Sequence, residues 1–231
     1  AKALRTYLES SSGSLPWVPQ LNNSEENKKI IEEMEEKVKS FQISIATILL
    51  NDNTGVYTDS LLRSLKIFFK MIEAPSGVQY NRIGVSVRYY PLWLIIYTIF
   101  ICGVSANRGS ILKSILEIPL KSSRDRSSTV LSDIYFFCHE ARSFFNDAFN
   151  QKWCEPLSQR IRQVLNNRIA EMISEFSEPE YFFKGEFVLC LTNIVKEMRN
   201  GEQADGRRPL GGLYLYMHEA QDSIRDFILE N

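Results

Sequence analysis

Apolar residues recur along this chain at alternating intervals of three and four, which is the spacing of one face of an α-helix. The clearest such stretch covers residues 23–50. It begins with Asn23, a helix-capping residue type, and Glu26 follows three places later, as in a capping box. Opposite charges four residues apart, in the order that supports a helix, occur at Glu25–Lys29, Glu33–Lys37 and Glu35–Lys39.

This first predicted helix carries an apolar seam, which packs either in the core of the chain or against a partner. Its first half is charged on the outer face, whereas its second half, FQISIATILL, is nearly all apolar. We therefore expect the helix to enter the core at its C-terminal end, while its N-terminal half lies at the surface. An ordinary bundle helix fits a seam of fewer than three heptads, and a dimer contact is the alternative. For that alternative, the candidate partner-binding residues are Ile31, Met34 and Val38.

The remaining periodicity predicts further amphipathic helices and almost no strand. Residues 81–90, NRIGVSVRYY, alternate in polarity and form the only strand-like stretch. The predicted fold class is therefore all-α, an irregular bundle of about eight helices. The further helices are expected within residues 58–74, 109–120, 131–149, 155–177, 179–198 and 213–230.

Residues 89–106, YYPLWLIIYTIFICGVSA, contain no charged side chain. With Pro91 in the first turn, the apolar helix runs over about residues 91–104. At 1.5 Å per residue it spans about 21 Å, which is less than the ~30 Å hydrocarbon core of a bilayer. We therefore expect it to be the central buried helix of the bundle. A membrane span and an exposed partner-binding surface are the alternatives.

Residues 89–120 also resemble a segment of a known kind of protein. They contain Tyr90-Pro91-Leu92, then aliphatic residues, small residues and a second apolar run. The segment resembles a helical hairpin in C-terminal regions of bacterial antiviral defence proteins, whose upstream effector is a SIR2-like NAD-cleaving domain or an AlbA_2-type ATP-binding domain. The resemblance implies a sensor, oligomerisation or regulatory role and carries over no functional residue. Those proteins often have alanine where this chain has Trp93 and Phe100. The other matching residues are Tyr97, Gly103, Ala106, Arg108, Ile111, Leu112, Ile115 and Leu116.

The first 22 residues differ in character from the rest of the chain. AKALRTYLES has helical spacing without a capping residue before it, and SSSGSLPWVPQLNNS is rich in Ser and Pro. We interpret residues 1–22 as the end of an upstream helix followed by a linker. Residues 23–231 then form a single α-helical domain of a larger protein.

Composition indicates the cellular compartment of the protein and the kind of binding partner to expect. The chain has 27 basic and 28 acidic residues, a net charge of −1, and 44% hydrophobic residues. The basic excess that is typical of nucleic-acid-binding proteins is absent, so neither a nucleic acid nor a membrane is the expected partner. Four cysteines, none in a C-x-x-C pair, favour reduced thiols and a cytoplasmic protein.

Histidine chemistry is the main enzymatic alternative. His139 and His218 are each followed by Glu, but neither has the second His that a zincin requires. The Arg-to-His spacing of HEPN-type ribonucleases is absent as well. We therefore expect no catalytic residue, no metal and no cofactor. On its predicted helix His139 shares a face with Tyr135 and Arg142, so these three residues are candidates for a partner contact.

The loop RNGEQADGRRPLGG, residues 199–212, offers the candidate ligand site. A helix is expected directly after it, so backbone N–H groups together with Arg207 and Arg208 could bind a phosphate. Gly211 and Gly212 complete the candidate site, although the Lys-Ser/Thr of a Walker A loop is absent. A solvated loop is the alternative interpretation.

These observations favour a non-enzymatic helical module that serves regulation, sensing or partner recognition in a larger cytoplasmic protein. The expected partner is another protein, an upstream domain of the same chain or a second copy. One alternative is a domain that binds the phosphate of a nucleotide or nucleic acid through the Arg207–Arg208 loop. The other is a membrane-associated helical protein that uses residues 89–106.

Overall fold

The computed structural model describes residues 23–72, 82–116, 118, 141–151, 156–169, 172, 182–189 and 191. Within these residues the regular structure is entirely α-helical and no strand is present, which confirms the all-α fold class. The helices are α1 (Ser24–Asn51), α2 (Thr58–Ile72), α3 (Arg82–Arg88), α4 (Tyr90–Ser105), α5 (Gly109–Leu116), α6 (Arg142–Ala148), α7 (Pro156–Ile169) and a helical segment at residues 182–189.

The longest of these helices, α1, begins where its sequence predicts. The side-chain Oδ1 of Asn23 accepts a hydrogen bond from the backbone N–H of Glu26 at 3.0 Å, which satisfies one of the free donors of the first turn. At the other end, the backbone N–H of Asp52 donates to the carbonyl of Ile48 at 2.9 Å. The predicted cap and the predicted extent of the helix are both confirmed.

The apolar seam of α1 packs against the chain's own helices over its whole length. Ile31 and Met34 are 0% exposed and Val38 is 3% exposed, all within the main hydrophobic core. Their assignment to a partner surface is therefore corrected, and so is the expectation that only the C-terminal half of α1 enters the core. The seam persists through the charged half because a helix buries one stripe and solvates the other.

The centre of the bundle is α4, as the sequence predicts. Pro91 lies in its first turn, and every residue from Tyr90 to Gly103 is buried. The most extensive contact of α4 is with α1, and α5 and α7 pack against it as well. An apolar surface on all sides of a helix requires neighbours on all sides, and the bundle supplies them.

Membrane insertion of α4 was the alternative raised by its sequence. Among the residues that the structure describes, no helix combines the length and the apolar character needed to cross a bilayer.

The stretch that the sequence marks as strand-like is a helix. Residues Arg82–Arg88 form α3, which leads through Tyr89 directly into α4. A pattern of period two over so few residues also fits two turns of helix, and the burial of the adjacent Ser86 and Val87 agrees with the helix rather than with strict alternation. The prediction of an extended segment here is wrong.

The helical segment at residues 182–189 approaches α4 closely at a glycine. A Cβ atom placed on Gly185 would lie 2.9 Å from the Cα and 2.7 Å from the Cγ1 of Ile101. Beside this contact the ring of Phe182 stacks on that of Tyr97, with centroids 5.5 Å apart. The absence of a side chain at Gly185 is therefore what lets the two backbones meet at this distance.

Candidate functional site

The site residues predicted from the sequence fall into three groups. Ile31, Met34 and Val38 lie in the core, as described above. Arg142 is the first residue of α6 and its side chain is exposed. The other predicted residues lie outside the described part of the chain: Tyr135, His139, His218, Arg207, Arg208, Gly211 and Gly212.

A buried ion pair joins α1 to α7 next to the first turn of α4. The guanidinium of Arg160 donates to both carboxylate oxygens of Glu35, at 2.8 Å and 2.7 Å, and the hydroxyl of Tyr90 donates to the same carboxylate at 2.7 Å. The ring of Phe149 lies 4.2 Å from the guanidinium carbon. Burial alone would lower the pKa of Arg160, but the Glu35 carboxylate outweighs it and the net pKa is raised. Burial, and then the charge of Glu35, raises the pKa of Tyr90 well above its usual range.

Two turns further along, a second buried contact links the same three helices. Gln42, which is 0% exposed, accepts a hydrogen bond from Arg168 and donates to the hydroxyl of Thr98 at 3.0 Å. Thr98 in turn donates to the carbonyl of Leu94 at 2.7 Å. Burial lowers the pKa of Arg168, and the charge of Glu35 opposes that change. These bonds satisfy polar groups that would otherwise be buried without partners.

A third buried contact lies between α4, α7 and the segment at residues 182–189. Glu186 is 1% exposed, and its Oε1 accepts hydrogen bonds from Tyr97 at 2.6 Å and from Ser158 at 2.7 Å. All three contacts connect elements that are distant in sequence. Their arrangement fixes how α1, α4 and α7 sit against one another, which is a structural role.

The sequence pattern led to a different prediction for Glu35. It was expected to pair with Lys39, but Lys39 contacts Glu36 at 3.4 Å and Glu35 faces the core. Arg160 and Arg168 face the bundle as well, where Arg160 bonds Glu35 and Arg168 bonds Gln42. Only the surface pair Glu33–Lys37, at 2.7 Å, forms as predicted.

Cys102 lies in the last turn of α4 and is free and fully buried. Burial raises the pKa of its thiol to about 12. The thiolate, which is the nucleophilic form, is therefore scarce at neutral pH. In the described residues, moreover, no group of three or more His, Cys, Asp or Glu side chains is placed to hold a metal ion.

An open cleft of about 500 Å³ lies between the α1–α2 loop and the start of α5. Residues 52–55, 58 and 59 line it on one side, and residues 107, 108, 110, 111 and 114 line it on the other. Most of these side chains carry hydroxyl, amide, carboxylate or guanidinium groups. The cleft is therefore an open, polar surface that offers hydrogen-bonding groups to solvent or to a partner.

The loop that forms one wall of the cleft is held in shape by Asp52. Its carboxylate accepts a hydrogen bond from the backbone N–H of Tyr57 at 2.8 Å and another from the hydroxyl of Thr54 at 2.9 Å. The bond from Tyr57 is the main reason that the pKa of Asp52 is lowered; burial opposes it and the Thr54 hydroxyl adds to it. Gly55, with a φ of 74°, makes the sharp turn that this arrangement needs.

Two large apolar side chains project from this loop into solvent. Val56 is 70% exposed and Tyr57 is 58% exposed, more than any other large apolar residue in the described part of the chain. The loop is held by its own hydrogen bonds, and the two exposed side chains lie between Gly55 and Thr58, which line the cleft. No prediction from the sequence assigned a role to this region. The signal available there was an apolar pair placed directly after the turn-forming residues 51–55.

Arg108 forms the floor of the cleft between α4 and α5. Its Nε donates to the carbonyl of Leu49 at 3.1 Å and its Nη2 donates to the Oδ1 of Asn53 at 2.5 Å. It follows Asn107, whose φ of 54° lies in the left-handed region and turns the chain from one helix to the next. The side chain therefore ties this turn to the end of α1.

Comparison with known proteins gives no relative, because no family model, no curated protein and no solved structure matches this chain.

Proposed function

We propose that this chain is a partner-binding helical module, and that its partner is a protein segment that docks at the cleft between the α1–α2 loop and α5. The observation that carries the proposal is the outward presentation of Val56 and Tyr57 by a loop that Asp52 holds in place. Exposing apolar surface in water is unfavourable, and a rigid loop cannot fold the two side chains away. A partner that covers them would gain free energy with little ordering cost.

The shape of the cleft favours a protein segment over a small metabolite. Small-molecule sites are concave and enclose most of their ligand. This cleft is open, and Ile111 is the one large apolar side chain among its lining residues, whereas Val56 and Tyr57 lie on the adjoining loop between Gly55 and Thr58. An extended or helical segment can cross such a surface and contact the loop and the polar cleft together.

The wider biological setting stays a prediction. The resemblance of residues 89–120 to antiviral defence proteins implies a regulatory or sensor module, and cytoplasmic location is expected from the composition. The phosphate site at Arg207 and Arg208 lies outside the described residues and stays a prediction as well.

Selection from a random peptide library tests the proposed function directly. Peptides would be selected on the wild-type chain and their affinities measured for a Val56→Ser/Tyr57→Ser variant. We expect the double variant to bind roughly tenfold more weakly or worse, because two exposed apolar anchors at an interface contribute more than about 1.4 kcal/mol together.

The matched control is Ile43→Ser, which removes an exposed apolar side chain from α1 away from the cleft. It should leave the affinities unchanged. The proposal fails if no selected peptide distinguishes the double variant from the wild type, or if Ile43→Ser has the same effect.

A further inference from the structure

The backbone of Arg108 is fixed by both of the helices that it connects. Its N–H donates to the carbonyl of Gly103 in α4 at 2.7 Å, and its carbonyl accepts from the N–H groups of Ile111 and Leu112 at 3.0 Å and 3.1 Å. The two helices meet tightly here, since a Cβ atom on Gly103 would lie 2.7 Å from the Cδ2 of Leu112. Because α4 is the buried centre of the bundle, the side chain of Arg108 starts from a rigid base.

The side chain of Arg108 reaches from this base to the end of α1 and to the α1–α2 loop. Its Nε donates to the carbonyl of Leu49, and its Nη2 donates to the Oδ1 of Asn53, which lies 55 residues earlier in the chain. The guanidinium is planar, so two donors bound to different acceptors fix those acceptors relative to each other. We call the side-chain contact between Arg108 and Asn53 the clasp.

The shape of the α1–α2 loop and its placement on the bundle have different causes. The hydrogen bonds from the Tyr57 N–H and the Thr54 hydroxyl both end on Asp52, so they shape the loop from within. Among the described residues, the clasp is the one side-chain hydrogen bond that joins residues 53–57 to the α4–α5 turn. Asp52 therefore sets the shape of the loop, whereas the clasp attaches the loop to the turn.

We propose that Arg108 and Asn53 are positioning residues for partner binding, because the clasp holds Val56 and Tyr57 in one place relative to α5. The proposal rests on the proposed function and adds two residues to it. Val56 and Tyr57 follow Asn53 by three and four residues, so freedom gained at Asn53 is passed on to both. A loop that is ordered beforehand loses less conformational entropy when a partner binds, which makes binding tighter.

Amide hydrogen exchange in the free chain tests the clasp without any partner. Asn53→Ala removes the acceptor and leaves the bond between Arg108 and Leu49 in place. The N–H groups of Tyr57 and Thr58 are both hydrogen-bonded within the loop, and we expect their exchange to become roughly threefold to tenfold faster. The amides of α4 should keep their protection. Unchanged exchange at Tyr57 and Thr58 would overturn the proposal.

Two further variants show whether the bond itself is responsible. Asn53→Asp keeps an Oδ1 acceptor for Arg108, and Ser110→Ala changes another residue of the cleft that is not part of the clasp. Both should leave the exchange of the loop amides within about twofold of the wild type. The proposal is wrong if Ser110→Ala speeds exchange as much as Asn53→Ala does, or if Asn53→Asp fails to restore protection.

Peptides that depend on Val56 and Tyr57 test the role of the clasp in binding. We expect Asn53→Ala and Arg108→Gln each to weaken their binding roughly threefold to tenfold. Asn53→Ala should add little once Arg108→Gln is made, because the two substitutions break the same bond.

Comparing the two measurements separates positioning from direct contact. Weaker binding without faster loop exchange would mean that Asn53 and Arg108 touch the partner themselves, which overturns a positioning role. Faster exchange with unchanged affinity overturns it as well, and the proposed function stands. If no peptide depends on Val56 and Tyr57, the proposed function fails and the binding role fails with it, while the exchange data still decide whether the clasp holds the loop.

Discussion

Arg160 and Arg108 occupy opposite kinds of environment in the same bundle. Arg160 is enclosed between α1 and α7, where it binds both oxygens of the Glu35 carboxylate and lies over the ring of Phe149. Arg108 is held only by neutral oxygen atoms at the floor of an open cleft. A charge that is removed from water is costly unless an opposite charge lies nearby, whereas a charge at an open cleft is solvated by water. Both arginines tie helices together, but only the contact of Arg160 depends on an opposite charge.

The largest effect should come from breaking the buried ion pair. Glu35→Gln leaves the guanidinium of Arg160 largely buried without its counter-charge, and we expect a loss of about 3–5 kcal/mol in the free energy of unfolding. Urea denaturation followed by circular dichroism measures it.

The matched control is Glu33→Gln, which breaks the exposed pair with Lys37 on the same helix. Glu33→Gln should lower the free energy of unfolding by at most about 0.5 kcal/mol. Equal losses from the two substitutions would mean that the Glu35–Arg160 contact is no more important than a surface pair.

A smaller effect is expected from adding one methyl group at a glycine. Gly185→Ala places a Cβ within 3 Å of the backbone of Ile101, which cannot move without shifting α4. We expect a loss of about 1–3 kcal/mol in the free energy of unfolding.

Gly109→Ala, at the start of α5 beside the cleft, is the comparison for this substitution. A Cβ there meets nothing within 4 Å, so stability should stay the same or rise slightly. Thermal unfolding of the two variants side by side would show whether the interior is tightly packed and the cleft is open, and a destabilised Gly109→Ala would contradict that contrast.

The smallest effect concerns the loop of the cleft and depends on pH. The pKa of Asp52 is lowered in the folded chain from its usual value of 3.8, so its ionised form stabilises the fold. That contribution is fully present above the usual pKa and is lost as the pH falls through the lowered one.

Asp52→Asn should therefore lower the melting temperature at neutral pH. The difference from the wild type should shrink as the pH falls below about 3.8, where the wild-type carboxylate becomes protonated. Differential scanning calorimetry across this range measures it. A difference that is independent of pH would show that the charge of Asp52 does not hold the loop.

The sequence predicts well those features that depend on neighbours along the chain. The start of α1 at Asn23, the place of Pro91 in the first turn of α4 and that of Pro156 in α7 all follow from local capping and ring constraints. The burial of α4 follows from its apolar surface on every side.

The sequence does not predict contacts between segments that are far apart along the chain. Glu35 is bound by Arg160, which lies 125 residues later, while Lys39 offers a plausible partner on the same helix. Nothing in either local pattern distinguishes the two pairings. The sequence does not reveal the cleft for the same reason. Its two walls come from separate turns, which meet only when α1, α4 and α5 have packed.

The all-round burial of α4 has a consequence for the order in which the protein is made. During synthesis α1 precedes α4, but α7 and the helical segment that also covers α4 begin only at residues 156 and 182. Until those residues have left the ribosome, part of an entirely apolar helix has no cover. Exposed apolar segments of this kind associate with one another and are bound by chaperones. We therefore expect the yield of folded protein to depend on how quickly the later helices reach α4.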